Sequence, residues 1–352
     1  MKESTDNKLY LPAEWSQQSG VQLTWPHEET DWRPYLSDIT ATYVALADAI
    51  TRYENLVVVA PDVAEVKRLL AGRLDSGQLG RTVFAQCATN DTWARDHGAL
   101  TLMGAGQPVL LDFRFNGWGQ KFDWQLDNHI TSALCDDRVL HGLHESHDDF
   151  VLEGGSVESD GRGTVFTTSR CLLAPHRNQP LGRDDIERQL KRRLHADRVV
   201  WLEHGELVGD DTDGHIDTVV RLAPDDVILY IKCEDEHDEH YADLCAMEDE
   251  LRRLVTADGR PYHLIALPMA DEIRYDGERL PATYANFLII NGAVIYPTYG
   301  QPANDHAARE ALHRAFPDRE LIGIDSRTII RQHGSIHCLT MQYPRGVIEI
   351  NS

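Results

Sequence analysis

The sequence predicts an α/β fold in which one unit repeats around an axis, a propeller-like arrangement, and three observations predict it. The same order of elements returns along the chain: a helix, a strand, a short polar motif, then a pair of strands. One polar residue in each motif (Asp96, Glu153, His215, Asn286 and Cys338) follows the last at intervals of 57, 62, 71 and 52 positions. No Ser/Gly-rich linker or low-complexity tract divides the 352 residues, so 1–352 reads as a single domain. Repeats of roughly 50 residues with paired strands are the signature of radial arrays.

Taken in order, 62–75 has helical patterning, RTVFAQC (81–87) is a short apolar strand and NDTWARDHG (90–98) is the first motif. ALTLM and PVLLDFRF follow as strands across a Gly-rich turn. The stretch 127–170 fits more loosely: a weak helix, the motif LEGGS (152–156), then VES and GTVFTT around DGRG. Next come a helix at 183–196, a buried strand at 197–203, the motif DDTDGHID (210–217), and TVVRL and DVILYIKC as a hairpin around APDD. A third clear copy has an acidic helix near 237–257, YHLIALP (262–268), TYAN (283–286) and the pair FLII/GAVIYP. The fourth has a helix at 304–316, ELIGID (320–325), GSIHC (334–338) and LTMQYP. The strand VQLTWP (21–26) is left over, and it can complete the last unit beside LTMQYP.

The net charge of −23 argues against nucleic acid and anionic membrane surfaces as partners, and favours cationic ligands. Six scattered cysteines without a CxxC pair read as reduced thiols of a cytoplasmic protein. No apolar run approaches the ~20 residues of a membrane helix, and MKESTDNKLY lacks the apolar core of a secretory signal.

Each motif has a commoner explanation when it stands alone. Ile336-His337-Cys338 could hold a buried small thiol, Glu153-Gly-Gly a tight turn, and DDTDGHID a solvated acidic loop. Convergence changes this, because radial repeats bring the motifs to one end of a shared channel. Asp96, Glu153 and Asp217 then cluster as carboxylates beside a nucleophile, Cys338, and an acid/base, His215. Negative neighbours should raise the free thiol's pKa, so a cationic substrate is needed to favour the thiolate. A guanidinium is planar, permanently charged and matched to carboxylates. The aspartates around His215 therefore read as cation binders. Trp93, three residues before Asp96, reads equally as a wall of that site or as core. CEDEHDEHYADLC (233–245) and HGLHESHDD (141–149) have the composition of a solvated helix face or loop and lack structural-zinc spacing.

Eight stretches together resemble the agmatine deiminase / bacterial-type peptidylarginine deiminase family of guanidine-modifying enzymes. They are LPAEW (11–15), TWPHEETDWR (24–33), NDTWARDHG (90–98), DFRFNGWGQKFDWQLDN (112–128), LEGGSVESDGRGTVFTTSRCLL (152–173), DDTDGHIDT (210–218), YANFLIINGAVIYP (284–297) and GSIHCLTMQYP (334–344). The resemblance implies a five-bladed, pseudo-fivefold α/β propeller (the pentein fold) of five ββαβ-like units. It implies Cys338 as nucleophile, His215 as general acid/base, and Asp96, Glu153 and Asp217 as guanidinium-binding carboxylates. Trp93 and Asp211 match positions near the substrate, Asn286 flanks the site, and no metal or organic cofactor is implied. The expected reaction is hydrolysis of agmatine to N-carbamoylputrescine and ammonia; the alternative is conversion of protein arginine to citrulline. Where the family carries a Gly-Gly-Gly-Asn-Ile-His-Cys style segment, this chain has Gln332-His333-Gly334-Ser335-Ile336-His337-Cys338, which bears on substrate identity rather than reaction type. A non-catalytic polyamine binder and a metal-dependent amidinohydrolase are the contrasting readings, and a homodimer would be unsurprising.

Overall fold

A computed structural model describes residues 8–350. Five small mixed sheets carry the chain. Strands β1 (Gln18–Thr24), β2 (Asn55–Ala60), β3 (Thr82–Gln86) and β18 (Thr340–Pro344) form one sheet in the order β18-β1-β2-β3. The other four sheets are three-stranded. They are β4 (Leu100–Leu102), β5 (Val109–Arg114) and β6 (Leu143–Val151); β7 (Val157–Ser159), β8 (Thr164–Thr168) and β9 (Arg198–Leu202); β10 (Val220–Ala223), β11 (Val227–Lys232) and β12 (His263–Pro268); and, beyond a two-stranded ribbon β13 (Arg274–Tyr275) and β14 (Glu278–Arg279), β15 (Leu288–Ile290), β16 (Ala293–Thr298) and β17 (Glu320–Asp325). Each three-stranded sheet follows one rule, an antiparallel hairpin and then a parallel strand.

Turn chemistry explains the hairpins. Asn291-Gly292 joins β15 to β16 with Gly292 at φ +75°, and Pro224-Asp225-Asp226 joins β10 to β11 with both aspartates at φ +61°. Left-handed turn residues match the twist of paired strands, and Gly, Asn and Asp tolerate that conformation best. A parallel strand cannot follow by a tight turn, so a helix intervenes. The helices Arg183–Arg193, Tyr241–Arg253 and Pro302–Ala315 serve this role and bury Ile186 and Leu190, Leu244 and Met247, and Ala308 and Leu312. A fully buried Leu or Ile of this kind contributes about 1.5–3 kcal/mol.

VQLTWP does pair with LTMQYP, since Val21 of β1 lies opposite Gln342 of β18. Three sequence-derived expectations change. The strand after each helix closes the preceding sheet, so the unit read as helix-strand-motif-hairpin spans two sheets. HGLHESHDD is neither loop nor helix but most of β6, pairing alongside β5. The helix Leu36–Thr51 and β2 were not anticipated, although Ile39, Tyr43, Leu46 and Ile50 recur at helical spacing and are fully buried. The polar motifs meet where the sheets converge: the turn Ala94–His97 packs on Gly154–Ser156, which packs on Ile216–Thr218. Among the described residues no helix is long and apolar enough to cross a membrane.

Candidate active site

Cys338 ends the loop before β18, 4% exposed. Asn286 fixes it: the side-chain Oδ1 accepts from the His337 amide at 2.9 Å, from the Cys338 amide at 3.3 Å and from Sγ at 3.4 Å. Asn286 is fully buried and so holds the Cys338 backbone and sulfur from within the protein.

His215, Asp96 and Asp217 converge on Gly155. A Cβ at that glycine would lie 2.6 Å from His215 Nδ1 and 3.0 Å from both Asp217 Oδ2 and Asp96 Oδ1, so no larger residue fits. Asp96 accepts from Trp118 Nε1 at 2.9 Å and the Gly155 amide at 3.0 Å, and its Oδ1 lies 3.6 Å from His215 Nδ1. Both ring nitrogens of His215 are buried without a protein hydrogen bond, as is Asp217 Oδ1. Burial raises the Asp96 carboxyl, with His215 opposing and Asp217 adding. Burial alone would lower His215, but Asp96, Cys171 and Glu153 carry it well above its ordinary value. Burial pushes the Cys338 thiol well up, and Asp217 and Asp96 push it further, as the acidic motifs led us to expect. Both shifts favour the thiol form of Cys338 and the imidazolium form of His215.

A narrow pocket, with about 370 Å³ of non-atom space including its opening to solvent, lies against Cys338. Trp93, Trp118 and Phe122 form aromatic walls, and Asp31, Asp91, Asp96 and Asp211 supply carboxylates; none of its lining residues is Lys or Arg. Burial raises Asp91 to about 7 and Asp211 to about 6. Trp93 is thus wall and core at once, donating Nε1 to Asp91 at 3.1 Å and packing on Trp32. Gly334 explains part of the loop that carries Cys338, because a Cβ there would come 2.1 Å from the Trp93 ring. Trp118 sits at φ +54° between Gly117 and Gly119, both also left-handed. That conformation costs of order 1–3 kcal/mol for a bulky residue and aims the indole at Asp96.

The four aspartates around His215 divide their work, which corrects their reading as one cation-binding set. Asp211 lines the cavity and Asp217 joins the catalytic cluster. Asp210 caps the local turn through Thr212 and Gly214. Asp213 pairs with Arg177 at 2.6 Å and Lys121 at 2.8 Å. Glu153 is fully buried, and its carboxylate is engaged by Arg177 Nε at 3.0 and 3.3 Å. It adjoins the cluster from behind, not as a free wall of the cavity. Sequence reasoning missed Arg177, an isolated arginine in a loop, and Asp91, although Asp91 sits inside NDTWARDHG.

Two groups of ligand-type atoms lie close enough to share a metal ion: Glu153, Cys171 and His215, and Glu14, Glu158 and His337. Arg177 already neutralises the first and Arg221 the second. The His-rich stretches contribute to neither. His144 pairs with Asp112, His147 with Arg193, and His240 with Asp238 and the Val208 amide.

The family model for Porphyromonas-type peptidyl-arginine deiminase matches residues 10–344. The chain belongs to that family. Members of the family act as hydrolases on C–N bonds, and so does this chain. An agmatine deiminase of Stutzerimonas stutzeri is 34% identical, covering 95% of this chain and 95% of its own. A structure from Porphyromonas gingivalis, provisionally named an arginine deiminase, is 49% identical with a TM-score of 0.91, covering 97% and 99%. The C. jejuni agmatine deiminase, as a Cys-to-Ser variant with substrate bound, is 36% identical with a TM-score of 0.89, covering 98% and 99%. A dimethylarginine dimethylaminohydrolase, only 14% identical, covers 93% of this chain at a TM-score of 0.50 and shares its mixed α/β fold.

Proposed function

We propose that the chain hydrolyses agmatine to N-carbamoylputrescine and ammonia through a covalent intermediate on Cys338. One observation carries the reading: a buried thiol beneath an aromatic-walled cavity whose charged lining residues are all aspartates. Agmatine is cationic at both ends. Its guanidinium is placed against Asp96, which lines the cavity and adjoins Asp217 at Gly155, and Asp31, Asp91 and Asp211 line the cavity to receive its ammonium. Trp93 and Trp118 offer faces to the cation and the chain.

Binding the cation offsets the negative field that holds the thiol protonated, so the thiol releases its proton to solvent and the thiolate forms as substrate enters. The sulfur attacks the guanidinium carbon, giving a neutral tetrahedral adduct. His215, protonated at the outset, gives its proton to the departing nitrogen, which leaves as ammonia, and a cationic S-alkylthiouronium remains. Neutral His215 then takes a proton from water as the oxygen attacks. Collapse expels the sulfur, which takes up the hydroxyl proton, so the neutral urea-type product leaves and the resting thiol is restored. Asp96 and Asp217 stabilise the positive charge, and Glu153, held by Arg177, supports His215 from behind.

Protein arginine is the second reading, favoured by the family description. The cavity lining offers no Lys or Arg to receive a carboxylate, which argues against free or C-terminal arginine as substrate. Ammonia release from agmatine, free arginine and a blocked peptidyl-arginine, with wild type and Cys338→Ser, decides. Release from agmatine alone, lost in the variant, supports the proposal; release from the peptide alone replaces it. We also read the five sheets as the blades of a pseudo-fivefold propeller forming a single catalytic domain over 1–352. The pairing of β1 with β18, which joins the two ends of the chain, supports this. The proposed setting is the cytoplasm, on a route from arginine to putrescine, and a homodimer is compatible with it.

A further inference from the structure

The N-terminal LPAEW stretch and the histidine before the nucleophile have no part in the chemistry above, yet the fold brings them together. His337 is 1% exposed. Its Nδ1 lies 2.7 Å from Asp217 Oδ2 and its Nε2 lies 2.8 Å from Glu14 Oε2. Both partners are carboxylates, which only accept when ionised, so both ring nitrogens must carry hydrogens for both bonds to form. Glu14 is itself anchored: Oε1 accepts from the Ile289 amide at 2.7 Å, and Oε2 also accepts from Arg221 Nη2 at 2.6 Å. Arg221 in turn holds Glu158. A chain of alternating charge therefore runs from Glu158 through Arg221, Glu14 and His337 to Asp217. At its end Asp217 Oδ2 is occupied, while Oδ1 is buried without a protein partner.

We propose that Glu14 and His337 are positioning residues for Asp217: they fix one carboxylate oxygen and leave the other free for the substrate guanidinium. This rests on the guanidine-hydrolase reading of the site. A carboxylate serving that role must be ionised and must not rotate. Burial works against ionisation, and a single cation bonded to one oxygen answers both requirements. Consistent with this, the Asp217 carboxyl lies below the usual range: burial raises it, and the hydrogen bond and charge of His337 outweigh that. The groups facing Asp217 are His337, His215, Arg221, Arg95, Asp96 and Cys338. Those facing His337 besides Asp217 are Glu14 and Glu158. His337 is the cation among them whose side chain is hydrogen-bonded to the Asp217 carboxylate. The arrangement also gives Glu14 a reason to be where it is, over 300 residues from the nucleophile in sequence and one histidine from the catalytic carboxylate in space.

The test is agmatine turnover against pH for wild type, His337→Gln and Glu14→Gln. Gln at 337 can still donate a hydrogen bond but carries no charge. The expected result is a KM at pH 7 raised roughly tenfold or more, a smaller fall in kcat, and an acid limb of kcat/KM moved up by about one pH unit. The sign follows from losing the cation: the Asp217 carboxyl rises and binds its proton at higher pH. Glu14→Gln should raise KM about threefold. An acid limb that stays in place, with KM within about twofold of wild type in both variants, overturns the proposal. If His337→Gln fails to fold, Glu14→Gln carries the test. A ligand-free readout separates the two claims: in histidine labelled with 15N, both His337 ring nitrogens should carry hydrogens in wild type, as the two carboxylate contacts require, and less so in Glu14→Gln. A neutral ring in wild type overturns the inference whatever the substrate. No ammonia from any guanidino substrate with wild type, beside a doubly protonated ring, fails the functional reading instead.

Discussion

Two buried regions of this molecule are built from the same kinds of residue and behave oppositely. Around Glu14, Arg221 and Glu158, every carboxylate meets a guanidinium or an imidazolium. Glu14 falls below its usual range there, because Arg221 and His337 outweigh its burial, and Arg221 is raised by the same acids. Around the cavity, Asp91, Asp96 and Asp211 are ion-paired to no Lys or Arg among the described residues, and burial drives all three up. In the first region Arg221 holds both acids, although burial still keeps Glu158 raised; in the second the acids are open to a cation. A charge that the fold has already matched holds structure, whereas one left unmatched is available to a ligand.

Removing the centre of the unmatched region should cost activity and little else. Cys338→Ser is expected to lower ammonia release from agmatine by roughly 10⁴-fold or more, with the urea midpoint unchanged. Retained turnover would break the assignment of the nucleophile. Removing the centre of the matched region should do the reverse. Arg221→Met leaves Glu14 and Glu158 buried without their guanidinium, a loss of about 3–5 kcal/mol. Equilibrium urea unfolding measures it, and a variant as stable as wild type would show that the network is not structural.

Asp91 sharpens the contrast, because the two regions predict opposite signs. Its carboxyl titrates near 3.8 when unfolded and about 7 when folded, with burial the main cause. A raised carboxyl favours the protonated folded state, so stability is greatest below about pH 4 and falls as pH rises toward 7. Asp91→Asn removes that loss. Discounted for the partial exposure of the side chain, the variant should be about 2 kcal/mol more stable than wild type at pH 8 and equal to it near pH 3.5, by urea unfolding. The KM for agmatine should rise at the same time. A loss of stability at pH 8 would make Asp91 a structural acid.

Much of this was legible in the chain. Alternation, turn residues and helical spacing located fourteen of the strands' neighbourhoods only where each element announced itself locally, as Asn291-Gly292 does between β15 and β16. β6 hid because its histidines and aspartates pair with residues distant in sequence: His144 with Asp112, His147 and Asp149 with Arg193. Such a strand reads as a solvated loop until its partners are known. The same limit governs the site. Asp96, Asp217, His215 and Cys338 were readable, because their motifs recur at the same place in each unit and the turns bearing them pack together. What each acid does was not, because pairing decides it. Glu153 and Asp213 look like ligand carboxylates in sequence, and Arg177, from a loop without any motif, takes both. The work of Glu14 was invisible for the same reason.

The smallest effect concerns the thiol itself and needs no substrate. Burial holds the Cys338 thiol well above its usual range, with Asp217 and Asp96 adding to it. Below its pKa, the thiolate fraction rises tenfold per pH unit. Alkylation of the ligand-free protein by iodoacetamide should therefore be slow at pH 7 and climb by about tenfold per unit toward pH 9, read by mass at Cys338. Five other cysteines are present, so the modified residue must be located by peptide. Asp96→Asn then separates field from burial. It removes one negative neighbour and leaves the thiol where it is, so alkylation at a fixed pH should quicken a few-fold even as turnover collapses. A thiol that reacts rapidly at pH 7 in wild type would mean that the thiolate is present before any cation arrives. The acids of the cavity would then serve binding alone, without the second task of holding the nucleophile in reserve.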